Sequence, residues 1–177
     1  VVDVDGARNA WVRLRGSVID AVGHGEPAHD HHALVGPGTI VDARGLTLVP
    51  GFIDLHGHGG GGASVEDGPE ELQKALAAHR ARGTTRHVLS AVSAPIPELC
   101  RTLEMLADLT EADPLVLGSH AEGPFISPLR KGAHDPSALV AATPAAVDEM
   151  LAAGRGTLRQ VTIAPEIAGG LDAVRRF

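Results

Sequence analysis

Tyrosine is absent from this 177-residue chain, and tryptophan and cysteine occur once each. A lone cysteine, Cys100, cannot close an intrachain disulfide, so a reducing cytoplasm is the natural compartment. Lysine and arginine form no cluster, and the formal charge is −7. That balance argues against a nucleic-acid backbone or an anionic membrane surface as partner, since either calls for grouped cations. Nowhere do about 18 apolar residues run together to span a bilayer, and no charged-then-apolar export signal opens the chain. An initiator methionine is missing too, so the true N-terminus is expected upstream of Val1. What is present is an ordinary globular mix, 44% hydrophobic and 21% charged, long enough to bury a core, with ten histidines as its one unusual feature. Histidine excess points to metal chemistry only where spacing and context agree.

Residues 1–47 read as a small β subdomain. "AWVRLRG", "VIDAVGHG" and two runs within "GTIVDARGLTLVPG" are strand-like and bounded by glycine. Between them lies a polar segment with His24, His29, His31 and His32; these could take up a stray ion, but nothing fixes their geometry, and a solvated loop is expected. From residue 48 strand and helix alternate. "TLVPGFIDLH" is a strand, and "PEELQKALAAHR" a helix with Pro69 just inside its start, acids in its first turn and Gly83 past its end. "TTRHVLSAVS", "PLVLGSHAEGPF" and "LRQVTIAPE" are further strands. "IPELCRTLEMLADLTE" and "TPAAVDEMLAAG" are helices, the latter with Thr143 as N-cap and Gly154 as its stop. Four βα units make an α/β fold with a parallel sheet, either a doubly wound sheet or a (β/α)8 barrel. Residues 48–177 would be close to half of the about 250 that a full barrel takes.

Side chains two apart share a strand face, which places Phe52, Asp54, His56 and His58 together in "FIDLHGH". The same parity groups Val116, Gly118, His120 and Glu122 in "LVLGSHAEG". Both strands thus bring imidazole or carboxylate to their C-terminal ends, where parallel α/β folds keep their sites. A His-x-His pair there suits a divalent ion, since two neutral imidazoles can take adjacent coordination positions. The four glycines Gly59–Gly62 could form an anion nest. Lacking a P-loop ending, they read better as a turn that lets backbone approach a ligand closely. "EGPFISPLRKGAHDPSAL" reads as a long polar loop at a pocket, offering Arg130, Lys131 and His134 as donors.

These residues carry a resemblance. "LVPGFIDLHGHGGGG" is similar to the first barrel strand of the amidohydrolase superfamily. "HAEGPFISPLRKGAH" and "VTIAPE" resemble, more narrowly, the N-acetylglucosamine-6-phosphate deacetylases. The resemblance implies the first half of a metal-dependent (β/α)8 TIM barrel, residues 48–177, preceded by an incomplete small β-sandwich subdomain, residues 1–47. It implies that Glu122 is a metal ligand in the place of the carboxylated lysine of many relatives, and that His56 and His58 bind a metal as in two-metal members. Ala133 and His134 match positions that contact the sugar, and Glu166 is read as a supporting or structural residue.

The chemistry so implied is attack of a metal-activated water on the N-acetyl carbonyl, releasing acetate and glucosamine 6-phosphate. One or two divalent ions, zinc or iron, would serve, with an amino sugar phosphate as the small-molecule partner. The full-length parent would be a cytoplasmic homodimer. An aspartate acting as general base and acid is expected beyond Phe177, with two further histidine ligands, so no catalytic residue is assigned within the chain. The chain is accordingly expected to be the N-terminal half of such an enzyme and inactive alone. Two alternatives stand beside this: another amidohydrolase, acting on a cyclic amide or N-acyl amino acid, and a non-catalytic metal-binding remnant.

Overall fold

The structure is a computed structural model that describes residues 1–25 and 40–177. Two compact units make it up, Val1–Pro50 and Gly51–Phe177. In the first, β1 (Val2–Asp3) and β2 (Gly6–Ala7) form a tight antiparallel hairpin, and β3 (Ala10–Arg15) pairs antiparallel with β4 (Val18–His24). Trp11 faces Gly23 across the second pair, and a Cβ on Gly23 would come within 2.3 Å of the indole. An ion pair of 2.6 Å between Arg13 and Asp20 ties the same two strands.

The strand-like runs expected between "GTIVD" and "LVPG" are not strands over residues 40–50. Ile40, Val41, Leu46, Leu48 and Val49 are all exposed there. An apolar, β-branched run becomes a strand only when a neighbour takes its backbone groups. His24 closes β4, whereas His29, His31 and His32 lie outside the described residues.

The second unit begins with β5 (Phe52–Gly57) and a small hairpin of β6 (Gly59–Gly60) with β7 (Ala63–Ser64). Then follow α1 (Pro69–Arg80), β8 (Thr84–Ala91), α2 (Ile96–Ala112), β9 (Val116–Glu122), α3 (Pro144–Gly154), β10 (Leu158–Thr162) and α4 (Gly170–Arg176). β5, β8, β9 and β10 form one parallel sheet in that order. Each crossover therefore moves the chain one strand further in the same direction. A doubly wound sheet reverses its order at a switch point, so this winding is that of a (β/α)8 barrel, of which four strands are present.

Helix starts follow their local chemistry. Pro69 occupies the first turn of α1 beside Glu70 and Glu71, where its missing N–H costs nothing and the acids meet the positive end of the helix. In α3 the Thr143 hydroxyl accepts from the Ala146 N–H at 3.2 Å. The end of α3 differs from expectation. Arg155, with φ 46°, takes the left-handed cap, and Gly154 remains the last helical residue. Gly154 is buried, and a Cβ on it would stand 3.0 Å from Leu158 Cβ, so closeness to β10 rather than the cap accounts for the glycine.

Leu99, Leu103 and Leu106 project from one stripe of α2 into a core shared with Leu72 and Leu76 of α1, Val147 and Met150 of α3, and Leu89, Ala91, Val116 and Ala121 of the sheet. The segment after β9, expected to be a polar loop, opens instead with buried residues. Phe125 is fully buried and Ile126 nearly so, both reaching the core before two short 3-10 turns at Pro128–Arg130 and Pro136–Ala138. β5 forms one sheet edge, and its Phe52, Ile53 and Leu55 are 63%, 59% and 57% exposed.

Candidate metal centre

Strict alternation along β5 would set Asp54 beside His56 and His58, but the strand is bulged. Asp54 pairs with His87 and Gly57 with Leu89, so three steps on β5 meet two on β8. A bulge re-aims the side chains around it. Asp54 turns to the helix side, with Oδ2 3.9 Å from His79 Nδ1 on α1, and His56 and His58 emerge on the other face with Glu122. β9 slips likewise between the His87–Val116 and Val88–Gly118 pairs. Val116 consequently packs with Ala121 in the helix-side core, not on the face of His120 and Glu122.

Three donors converge at the strand ends. His56 Nε2 is 3.0 Å from His58 Nε2, while Glu122 places Oε2 2.9 Å from His58 Nε2 and Oε1 3.5 Å from His56 Nε2. Ligands around a tetrahedral zinc, with bonds of about 2.0–2.1 Å, lie about 3.3 Å apart. The separations here already match such a coordination sphere. His58 Nδ1 is 2.9 Å from the Ser90 carbonyl oxygen, which can only accept, so Nδ1 carries the proton and Nε2 the lone pair. That lone pair faces a carboxylate oxygen and a second imidazole nitrogen. Between that lone pair and the carboxylate the contact is repulsive until a cation or an extra proton lies there. A divalent ion would relieve it with three protein ligands and keep positions open, the pattern of a catalytic rather than a structural site.

Beneath His56 lies His120, with ring centroids 4.8 Å apart and planes at 87°. It is fully buried and bridges neighbouring strands, Nδ1 to Ser90 Oγ at 2.9 Å and Nε2 to Thr162 Oγ1 at 2.8 Å. Burial, reinforced by the adjacent His56, pushes its pKa down to about 4 against the opposing pull of Glu122, so the ring is neutral near pH 7. The Glu122 carbonyl accepts from Ser93 Oγ at 3.1 Å, which anchors the end of β9. Ser90, Ser93 and Thr162 escaped the sequence reading because an isolated hydroxyl at a strand end has no spacing signature. His120 fell on the right face there but received no role.

The other expected residues scatter. His134 reaches the rim, with Nε2 3.9 Å from Glu122 Oε2, and Lys131 Nζ holds its carbonyl at 3.2 Å. Ala133 next to it is exposed, as are Arg130 and Glu166, the latter in the turn after β10. Gly59 and Gly60 form β6, and Gly61 and Gly62 make the turn that follows it. Within the β6–β7 hairpin α1 approaches two of them: a Cβ on Gly60 would stand 2.7 Å from His79 Nε2 and one on Gly61 3.1 Å from Ala78 Cβ.

No protein-family model matches the chain. Among curated proteins it is 37% identical over 146 residues to an N-acetylgalactosamine-6-phosphate deacetylase of Escherichia coli O157:H7, covering 80% of this chain and 38% of that protein. To the N-acetylglucosamine-6-phosphate deacetylase of Bos taurus it is 33% identical over 143 residues, covering 76% and 35%. The chain thus spans well under half the length of these relatives. Among solved structures, a substrate-bound mutant of the N-acetyl-D-glucosamine-6-phosphate deacetylase of Mycobacterium smegmatis superposes with a TM-score of 0.79 at 38% identity, over 94% of this chain and 42% of that one. A Pasteurella multocida N-acetylglucosamine-6-phosphate deacetylase shares the fold at a TM-score of 0.79 and 24% identity. In sequence and in fold, the chain is homologous to part of the N-acetylhexosamine-6-phosphate deacetylases.

Proposed function

We propose that the protein to which this chain belongs hydrolyses the acetamide of an N-acetylhexosamine 6-phosphate, releasing acetate and the amino sugar phosphate. The observation that carries the reading is the convergence of His56, His58 and Glu122 with the ring proton of His58 directed away to Ser90. A divalent ion bound there would supply a water acidic enough to ionise near neutral pH and would polarise the carbonyl. Zinc or iron suits two imidazoles and a carboxylate, and one or two ions can be served. His58 offers its Nε2 lone pair, Glu122 spans both imidazoles, and His120 backs His56 with both of its own ring nitrogens engaged by Ser90 and Thr162. His134 and Ala133, on the loop at the rim, are proposed to meet the sugar. A cytoplasmic homodimer remains part of the same reading.

N-acetylglucosamine 6-phosphate is the first candidate substrate. Its 4-epimer is the second, favoured by the 37% identity to a galactosamine-type relative. Acetate release by the full-length protein should be compared on both epimers, with an N-acetyl amino acid as control. Activity on a hexosamine phosphate that falls in Glu122→Gln beyond the roughly 10–100-fold cost of removing an outer partner of a metal site supports the proposal. Equal or better turnover of the N-acetyl amino acid, or full activity in Glu122→Gln, would sink it.

A further inference from the structure

We propose that Asp54 and His79 form a positioning pair that orients the His56 and His58 ligands from the far side of the sheet; this rests on the metal-centre reading above. The segment from His56 to Gly59 carries both imidazoles, and it is held at each end. Asp54 Oδ1 accepts from the His56 backbone N–H at 3.1 Å, and His79 Nε2–H donates to the Gly59 carbonyl at 2.8 Å. The two holding side chains meet, with Asp54 Oδ2 3.9 Å from His79 Nδ1. One pair of side chains therefore clamps the ligand segment to α1 without touching either ligand ring.

Three features of the chain serve this clamp. The bulge on β5 is what turns Asp54 toward α1. The absence of side chains at Gly60 and Gly61 lets the helix come close enough for His79 to reach the carbonyl, since a Cβ on Gly60 would lie 2.7 Å from the His79 ring. His87, opposite Asp54 in the β5–β8 register and only 2% exposed, packs edge-on against His79 with centroids 5.4 Å apart and so backs the pair on its inner side. A metal ligand's donor direction follows from the backbone that carries it, so loosening either end of a four-residue segment blurs both imidazoles at once. Outer groups that orient ligands typically contribute 10–100-fold in metal affinity.

The test uses the full-length protein, titrated with Co²⁺ and Zn²⁺ against a chromogenic chelator, with metal-free thermal unfolding measured in parallel. His79→Ala and Asp54→Asn are expected to weaken binding by roughly 10–100-fold and to alter the visible d–d spectrum of the Co²⁺ form. His79→Gln, whose amide can still donate to the Gly59 carbonyl, should recover most of the affinity. The double variant should be little worse than the weaker single one, because both act on one clamp. Wild-type affinity and spectrum in Asp54→Asn and His79→Ala, with only the unfolding temperature lowered, would overturn the inference and leave the pair a structural contact. Should His79→Ala fail to fold, Asp54→Asn against His79→Gln decides in the same way. Unchanged metal binding in His56→Ala would instead mean that the metal-centre reading itself is wrong.

Discussion

His87 combines two costs, burial on the helix side of the sheet and an Nε2 with no hydrogen-bond partner among the described residues. Burial, followed by the charge of nearby His79, lowers its pKa from the ordinary 6.5. The unfolded chain then binds a proton that the folded chain refuses, so stability declines as pH falls below about 6.5 and is unaffected above it. His87→Leu is expected to flatten the melting-temperature profile between pH 7 and pH 5 relative to wild type, while costing little at pH 7.5; parallel profiles would show that His87 does not titrate on unfolding. Gly59 is a second position where one atom decides. Its φ is 150°, and a Cβ would fall 2.1 Å from the Ala63 carbonyl oxygen, which is backbone and cannot swing away. Gly59→Ala should cost about 1–3 kcal/mol in chemical denaturation and weaken metal binding, through distortion of the hairpin that follows His58. Neither effect is legible from composition, because both depend on what a neighbouring element brings close.

The helices divide into what their own residues specify and what packing adds. Thr143 and the proline after it are sufficient local reason for α3 to start where it does, and Thr143→Ala should cost about 1 kcal/mol in urea denaturation. The stripe of Leu99, Leu103 and Leu106 is equally plain at a period of 3.6, but its energy comes from α3 and β9 on the other side. Leu103, with no exposed surface, should cost about 2–5 kcal/mol when cut to alanine, against a near-neutral Leu129→Ala at a residue 91% exposed. Strands were less readable. His56, His58 and Glu122 were legible as strand-end donors, yet Asp54 and Val116 were assigned to the wrong faces. Simple alternation holds only for a regular ladder, and both bulges arise from pairing with β8, a strand more than two dozen residues away in the chain. Gly60 and Gly61 show the same limit, since the partner that explains them is α1.

As a whole, the second unit is an open parallel sheet with apolar side chains exposed along its β5 edge. Unpaired edges and exposed apolar strands invite association. The isolated 177-residue chain is therefore expected to bind a hydrophobic dye and to self-associate at micromolar concentration; a monodisperse monomer with a sharp two-state melt and no dye binding would contradict this. A divalent ion that binds the folded form and not the unfolded one must raise stability with concentration, by about 2.7 kcal/mol at a hundredfold excess over the dissociation constant. In the full-length protein that increment should vanish in a His56→Ala, His58→Ala double variant, read as loss of the zinc-dependent rise in melting temperature.

Reading along the chain was enough to establish the βα repeat, the helix starts, and the candidate ligands His56, His58 and Glu122, because periodicity, capping and donor chemistry are properties of neighbouring residues. Folding supplied the rest. Winding in a single direction distinguished a barrel from a doubly wound sheet, and two bulges chose which side chains face the ligands. The Ser90 carbonyl placed the proton of His58, and α1 packed against Gly60 and Gly61 to bring His79 behind the site. Each of these is a contact between segments distant in sequence, set by strand register and close packing, which no local pattern encodes.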